Sequence, residues 1–461
     1  MVPTEAANGV RESHTRLALL AFAGLALNQA MRVEMGQFHP RAILWLTVAL
    51  LAAWAALLVR PILLFENRGG RLVLQVLGGA LAIYAVQAFR FGPGYLGDIA
   101  DRILPPFRLA ALLMFGLVVY GARAPERGRQ LWFPLLALLY LITGVWFLRV
   151  SPPVGIDVLM FQNLAADGLL QGLNPYTRPY PDQYGAGSPF YGPGVVANGH
   201  LTVGLPYPPL SLYLCLPARW LFGDVRYAHL LALTLTGLFM GYLGPGRISR
   251  LAAAAFWLAP CTLFMAQMSW TEPFGLLFLS LFAWLATRTG GLPAKVFGLA
   301  LASKQFMLLL PLTATLLLRH RERTYRWRFH LVALAVAAAV TLPFILWDWR
   351  GAYRSLIEFQ LVQPFRQDAL SYPALFASWG WPRPTMWLPF PLALLTIWAV
   401  HRRGATTMSG FFAGSALVYM VFFAMSKQAF CNYYFLAAGL LSLAVCTAEV
   451  RPPAPMYTSD E

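Results

Sequence analysis

The feature that most constrains this chain is the recurrence of apolar blocks about 20 residues long, the length that carries an α-helix across a hydrocarbon core. They fall at 17–33, 43–59, 72–89, 107–121 and 131–149. After one long polar interval they resume at 206–222, 227–243, 250–265, 272–288, 296–318, 329–348, 385–400, 409–425 and 431–447. Only 12% of the 461 residues are charged, about half the share in soluble globular chains. The sequence therefore predicts an all-α polytopic membrane protein with about 13–14 spans.

Charge placement orders these blocks. The formal net charge is +16, from 35 basic and 19 acidic residues, and only three of the basic residues are lysine. A nucleic-acid partner is set aside, because the arginines are spread over short loops and form no continuous stripe with interleaved aromatics. Basic loops stay in the cytoplasm, which assigns there Arg60, Arg68 and Arg71, then Arg123, Arg127 and Arg129, and finally Arg319 to Arg328. Residues 150–205 and 349–384 then face outside. Between 206 and 295 the rule conflicts with itself: Arg247, Arg250, Arg288 and Lys295 would face outside if every block crossed once. Either one block is re-entrant or the rule fails there.

The first block has the length of a signal sequence but no clear cleavage site, and reads as a retained helix. Cys215, Cys261, Cys431 and Cys446 sit in or beside apolar blocks without paired spacing or neighbouring histidines. They read as buried small hydrophobes. Residues 451–461 are polar and proline-containing and read as a disordered tail.

The long outer interval looks like a site. In Asp157 to Leu170, Asn163 and Asp167, followed by Gln171, make a polar helical face, while Phe161, Leu164, Ala165 and Leu169 make an apolar one. This predicts an amphipathic helix at the membrane surface, stopped by Gly172 and Asn174-Pro175. A glycine- and tyrosine-rich stretch follows, and then Leu205-Pro-Tyr-Pro-Pro-Leu210 leads into the next apolar block.

An aspartate just after an outward-going span, a surface helix, Gly172-x-Asn174-Pro-Tyr176 and Tyr207-Pro-Pro-Leu210, in that order, resemble GT-C class glycosyltransferases. Within that class the chain is most similar to the bacterial polyprenyl-phosphate-mannose mannosyltransferases. The resemblance runs from about 131 to 447 through Ala302-Ser-Lys-Gln-Phe306 and Lys427-Gln-Ala-Phe-Cys-Asn-Tyr-Tyr434. It implies a GT-C helix bundle divided into a catalytic core at 131–348, an outer loop with C-terminal helices at 349–450, and N-terminal helices of unknown role at 1–130. It also implies a plasma-membrane enzyme of bacteria, with its site facing outside. Such an enzyme takes a sugar, mannose on this resemblance, from a polyprenyl-phosphate donor to a glycan or glycolipid acceptor among membrane lipids.

The matching position for the acceptor's general base is Asp157, since a sugar hydroxyl is a poor nucleophile until a carboxylate takes its proton. The competing reading is a helix cap. The second acid that some relatives carry two residues earlier is here Gly155, so no metal ligand set is assigned and no cofactor is expected. Asp98 and Asp101 are held in reserve as the catalytic acid. The neighbouring Gly92-Pro-Gly-Tyr-Leu-Gly97 matches a dinucleotide fingerprint only formally, because spans rather than a βαβ unit flank it.

Two of the three lysines recur in Ser303-Lys304-Gln305 and Ser426-Lys427-Gln428, in or beside apolar blocks where a cation costs about 2.5–3.5 kcal/mol unless paired or hydrated. Lys304 and Lys427 can meet the donor phosphate, with Gln305 and Gln428 as hydrogen donors, or snorkel to an interface. Glu272 can start a helix or orient sugar hydroxyls. Arg366 can meet phosphate or sugar, or form a solvated pair with Asp368. Asn174 belongs to the Gly-x-Asn-Pro-Tyr motif. Tyr176, Tyr207, Tyr433 and Tyr434 can stack on sugars or join an aromatic belt. The rival class is a transporter or lipid flippase, in which the lysines are counter-charges; the internal repeats common in transporters are not seen beyond Ser-Lys-Gln.

Overall fold

The computed structural model describes residues 14–58, 66–123, 131–185, 187–244 and 246–448. Arg60, Arg127, Arg129 and the tail at 451–461 lie outside the described residues. Five helices open the chain: α1 (His14–Val33), α2 (Pro40–Leu58), α3 (Glu66–Phe91), α4 (Ala100–Arg123) and α5 (Trp132–Val150). The long polar interval holds α6 (Asp157–Leu170) and a small antiparallel sheet of β1 (Tyr180–Pro181), β2 (Val196–Ala197) and β3 (His200–Leu201), ordered β1-β3-β2. Then come α7 (Pro209–Phe222), α8 (Arg226–Gly241), α9 (Arg247–Leu258), α10 (Thr262–Gln267), α11 (Glu272–Thr289), α12 (Ala294–Leu301) and α13 (Leu310–Ala314). The remainder comprises α14 (Arg323–Trp347), short pieces α15 (Trp349–Tyr353), α16 (Phe359–Val362) and α17 (Tyr372–Ser378), and the closing helices α18 (Pro389–Arg403), α19 (Met408–Ala424) and α20 (Cys431–Cys446).

The protein is a mostly helical, multi-pass membrane protein, as the apolar blocks predict. Among the described residues five helices are long and apolar enough to span a bilayer: Pro40–Leu58, Gly70–Phe91, Gly97–Arg123, Trp132–Val150 and Arg323–Trp347. Other blocks form shorter or broken helices, and each break has a local cause. Block 250–265 divides into α9 and α10 at Pro260, whose ring clashes with the preceding turn of a helix. Block 296–318 is not a single span. Lys304 is extended (φ −159°, ψ 149°), a tight 3-10 turn covers Gln305–Leu309, and α13 begins with Pro311 in its first turn.

Contacts between helix ends resolve the charge conflict. Helix α8 runs antiparallel to α5: Arg226 at its start donates to the Leu148 carbonyl at 3.1 Å, and Gly241 at its end leaves room for the Phe133 ring. Helix α7, between them, runs alongside α6, with Cys215 bonded to Gln162 and Arg219 paired with Asp167 at 2.7 Å. Block 206–222 therefore does not run the length of the bundle; it stays at the end that carries residues 150–205. With α7 out of the count, the basic residues fall together at the opposite end. Arg288 donates to the Tyr242 carbonyl at 3.1 Å, and Leu292, near Lys295, donates its amide to Tyr325, a neighbour of Arg323 and Arg326. Block 296–318 likewise turns back on itself: Lys304 meets the start of α11, whereas Thr315 meets His401 at the end of α18.

Cysteine labelling checks this arrangement. All four native cysteines are buried and free. A cysteine at Ala197, exposed in β2, is expected to react with an impermeant maleimide in intact cells. One at Thr324, exposed at the start of α14, is expected to react only after lysis, because its end carries the basic loops. The reverse pattern would invert the orientation.

Two apolar cores result. The larger joins the membrane helices around α1, α9, α11, α19 and α20. The smaller, with Phe161, Tyr176, Tyr180, Leu212 and Phe344, joins the long polar interval to α7 and α14. The apolar face predicted for α6 is thus spent on this inner core: Phe161 and Ala165 are buried, and the helix is clasped by α7 and the loop after it.

Candidate functional site

Helix α6 starts where Pro152-Pro153 and an extended Ile156 deliver the chain, and ends before Gly172 in the left-handed region (φ 77°), which glycine adopts without strain. Ile156 occupies the cap position, so Asp157 is the first helical residue. Its Oδ2 accepts from the Tyr191 hydroxyl at 3.3 Å, and its backbone amide donates to the Tyr184 hydroxyl at 3.3 Å. The two tyrosines pack together, with ring centroids 5.4 Å apart. Gly192 fixes this loop against the Val362 carbonyl, where a Cβ would not fit.

Burial pushes the Asp157 carboxyl above the ordinary carboxylate range; hydrogen bonds from Tyr184 and Tyr191, and more distantly the positive charge of Arg366, oppose that rise. Burial, reinforced by the Asp157 charge, holds the Tyr184 and Tyr191 phenols protonated at neutral pH. They are therefore standing donors to the carboxylate.

Arg366 reaches this cluster from the segment between α16 and α17. It forms a forked pair with Asp368 at 2.7 and 2.5 Å and lies over the rings of Phe190 (4.2 Å) and Phe430 (4.9 Å). The segment is tied down by the turn before α20. Lys427 donates to the carbonyls of Leu361 (2.9 Å) and Gln363 (2.6 Å), and Gln428 donates to that of Pro364 (2.9 Å). Burial lowers the Lys427 ammonium from its usual range.

Below the outer cluster, Tyr207 links it to the ends of the membrane helices. Its phenol is held protonated by burial and by the charges of Asp157 and Glu272, which both act on it. The Lys304 ammonium lies 4.9 Å from the Tyr207 ring, within cation–π range. It also pairs with Glu272 Oε1 at 2.9 Å and donates to Thr271 at 3.0 Å. Asn432 donates to the same Oε1 at 2.8 Å, whereas Glu272 Oε2 is buried without a hydrogen-bond partner. Lys304 thus has an intramembrane partner within the chain.

The remaining expected residues are placed as supports. Asn174 accepts from the Tyr176 amide at 2.9 Å and fixes the turn after α6. Tyr176 is buried, its hydroxyl donating to the Tyr207 carbonyl at 2.8 Å. Gln305 donates to the carbonyls of Pro206 (2.8 Å) and Leu356 (3.3 Å). Tyr434 is buried with its hydroxyl on the Leu370 carbonyl, and Tyr433 packs against Phe306 and Phe423. Asp98 and Asp101 are exposed at the start of α4; the preceding glycine run joins two helices, with no strand before it.

Tyr184, Tyr191, Asn432 and Gln162 were not singled out from the sequence. Gln162 is buried, donating to the Ser269 carbonyl and accepting from Cys215. No cluster of three or more histidine, cysteine or acidic side chains that could hold a metal occurs among the described residues.

No family model matches the chain, and no curated protein is similar to it in sequence. Two solved structures are similar to it, those of ArnT from Cupriavidus metallidurans bound to undecaprenyl phosphate and in the apo state. Each is 17% identical, with a TM-score of 0.45 over 70% of this chain. The matched region spans about 60% of the length of those structures.

Proposed function

We propose that the chain is a GT-C type glycosyltransferase. In this reading it transfers a sugar, mannose in the first instance, from a polyprenyl-phosphate donor to a glycan or glycolipid acceptor at the outer membrane surface. The observation that carries the reading is Asp157, a carboxylate set by two protonated phenols and within electrostatic reach of Tyr207, whose ring meets Lys304 of the Lys304–Glu272 pair. Asp157 takes the acceptor hydroxyl's proton as the anomeric carbon is attacked and the phosphate leaves. The supporting order of motifs, from Asp157 through Asn174-Pro-Tyr176 and Tyr207-Pro-Pro to Lys304-Gln305 and Lys427-Gln428, is that of the class the sequence resembles.

The site residues divide by what their polar atoms already hold. Asn174, Tyr176, Gln305, Lys427 and Gln428 are spent on the backbone, so they shape the site. We assign Arg366 to the donor phosphate, which it meets by exchanging Asp368 for it. The unpartnered Oε2 of Glu272 accepts a sugar hydroxyl, with Lys304 holding the carboxylate in place. A donor presented by a lipid phosphate suits a site at the outer ends of membrane helices, because nucleotide sugars stay in the cytoplasm.

Purified protein in lipid nanodiscs with a panel of radiolabelled polyprenyl-phosphate sugars tests this. Transfer of label from polyprenyl-phosphate mannose to a non-polyprenyl acceptor is expected. No transfer from any donor, together with movement of lipid across vesicles, would establish the transporter class instead.

A further inference from the structure

A polar cleft lies beside Tyr176, and Asp157 is not among the residues that line it. It encloses about 260 Å³ between the turn after α6, the segment that follows β3, and the stretch from Asp348 to Ser355. Its floor is built. Ser355 accepts from the Gly204 amide at 2.8 Å and donates to the Tyr176 carbonyl at 3.3 Å. Gly351 sits so close to Tyr176 and Thr177 that a Cβ would collide with them.

The walls carry Arg178, Arg350 and Arg354 against one acid, Asp348. The Asp348 carboxylate is already engaged, capping α15 through the amides of Arg350 (2.9 Å) and Gly351 (3.1 Å). Arg354 has only a loose partner, Glu358 at 3.9 Å with both side chains half exposed, a pairing of little strength. Arg178 donates to the Leu164 carbonyl at 2.7 Å, and Arg350 lies beside its neighbour Trp349; neither has an acidic partner among the described residues. The cleft therefore has a cationic surplus, and guanidinium forks match phosphate oxygens.

The cleft also borders the lipid. Helix α14, one of the spanning helices, ends beside it, and exposed Leu346, Trp347, Trp349 and Tyr353 surround the junction. Such a cluster marks the level of the membrane–water interface.

We infer that this cleft is a second binding site, distinct from the Asp157 cluster, for the phosphomonoester headgroup of a lipid. The headgroup lies between Arg178, Arg350 and Arg354, and the acyl chain runs along the exposed end of α14. A headgroup phosphate and free phosphate share this chemistry; the aromatic girdle selects the lipid.

The test is binding to the full-length protein in phosphatidylcholine nanodiscs, with dihexanoyl phosphatidic acid, dihexanoyl phosphatidylcholine and inorganic phosphate as probes. Phosphatidic acid is expected to bind, and Arg350→Gln and Arg354→Gln, both exposed and outside the core, are each expected to weaken it about ten-fold, the value of one charge-assisted hydrogen bond. Arg383→Gln, exposed over Phe365 on another outer segment, is expected to change nothing. Wild-type affinity in the Arg350→Gln/Arg354→Gln double variant, or equal binding of phosphatidylcholine, would overturn the site. Inorganic phosphate binding as tightly as phosphatidic acid would overturn the assignment to a lipid. Binding is read without turnover, so its failure is separable from failure of the glycosyltransferase reading.

Discussion

Replacing Asp157 with asparagine is expected to lower sugar transfer by about a hundred- to ten-thousand-fold, the usual contribution of a general base. The amide keeps the side chain's shape and still accepts a hydrogen bond from Tyr191, but it cannot take a proton from the acceptor. A cap role would predict near silence, since asparagine caps as well as aspartate; the structure places Ile156, not Asp157, at the cap. Burial raises the Asp157 pKa, which fixes two signs. The base must be ionised, so the acid limb of kcat/KM is expected above the ordinary aspartate value of about 4, and it should vanish from the residual rate of the variant. A carboxyl whose folded pKa is raised costs stability once ionised. That cost is absent in acid and appears as pH rises through the unfolded and then the folded pKa. Asp157→Asn is therefore expected to melt no lower than the native protein at neutral pH, and a lower melting temperature would point to a structural role. Asp167→Asn is the control: it breaks a partly exposed pair with Arg219, worth about 1 kcal/mol or less, and should leave transfer intact. Native rates in Asp157→Asn would move the search to Asp98 and Asp101.

The membrane class was legible because hydropathy is local, and most blocks did become helices. Whether a block crosses is decided elsewhere. Block 206–222 is less apolar than its neighbours, with Pro206, Pro208, Pro209, Pro217 and Arg219 within it, and α7 lies beside α6, where Arg219 pairs with Asp167 and Cys215 with Gln162. The clash of Arg247, Arg250, Arg288 and Lys295 with the positive-inside rule was one sequence signal of that exception, and the prolines and arginine inside the block were another. Block 296–318 concealed a hairpin, although Lys304 and Pro311 within it were visible costs to a continuous helix. At the site, Asp157, Arg366, Tyr207, Lys304 and Glu272 were legible as charges or tyrosines out of their ordinary place. Tyr184 and Tyr191 were not, because the loop that holds them has no periodicity. The partner of Lys304 was hidden for a different reason: 32 residues separate it from Glu272 in the chain, and only the return of α12 along α11 joins them.

Lys304→Met is expected to destabilise the protein by about 3–5 kcal/mol, the loss that follows when one member of a buried ion pair is removed and the other charge is left unpaired. Glu272 is fully buried, and Lys304 is 7% exposed, so water does not replace the lost ammonium. Thermal melting in nanodiscs reads this loss directly. The double variant Lys304→Met/Glu272→Gln separates folding from function. It removes both charges, and the introduced carboxamide still offers an oxygen to Asn432; replacing both charges of a buried pair is often close to neutral. The double variant is therefore expected to recover most of the melting temperature. If Glu272 also receives a sugar hydroxyl, the recovered protein will transfer poorly with a raised donor KM, whereas a purely structural pair predicts that activity returns with stability. A single Lys304→Met variant that melts like the native protein but has lost donor affinity would mean that the ammonium answers to the donor phosphate rather than to Glu272.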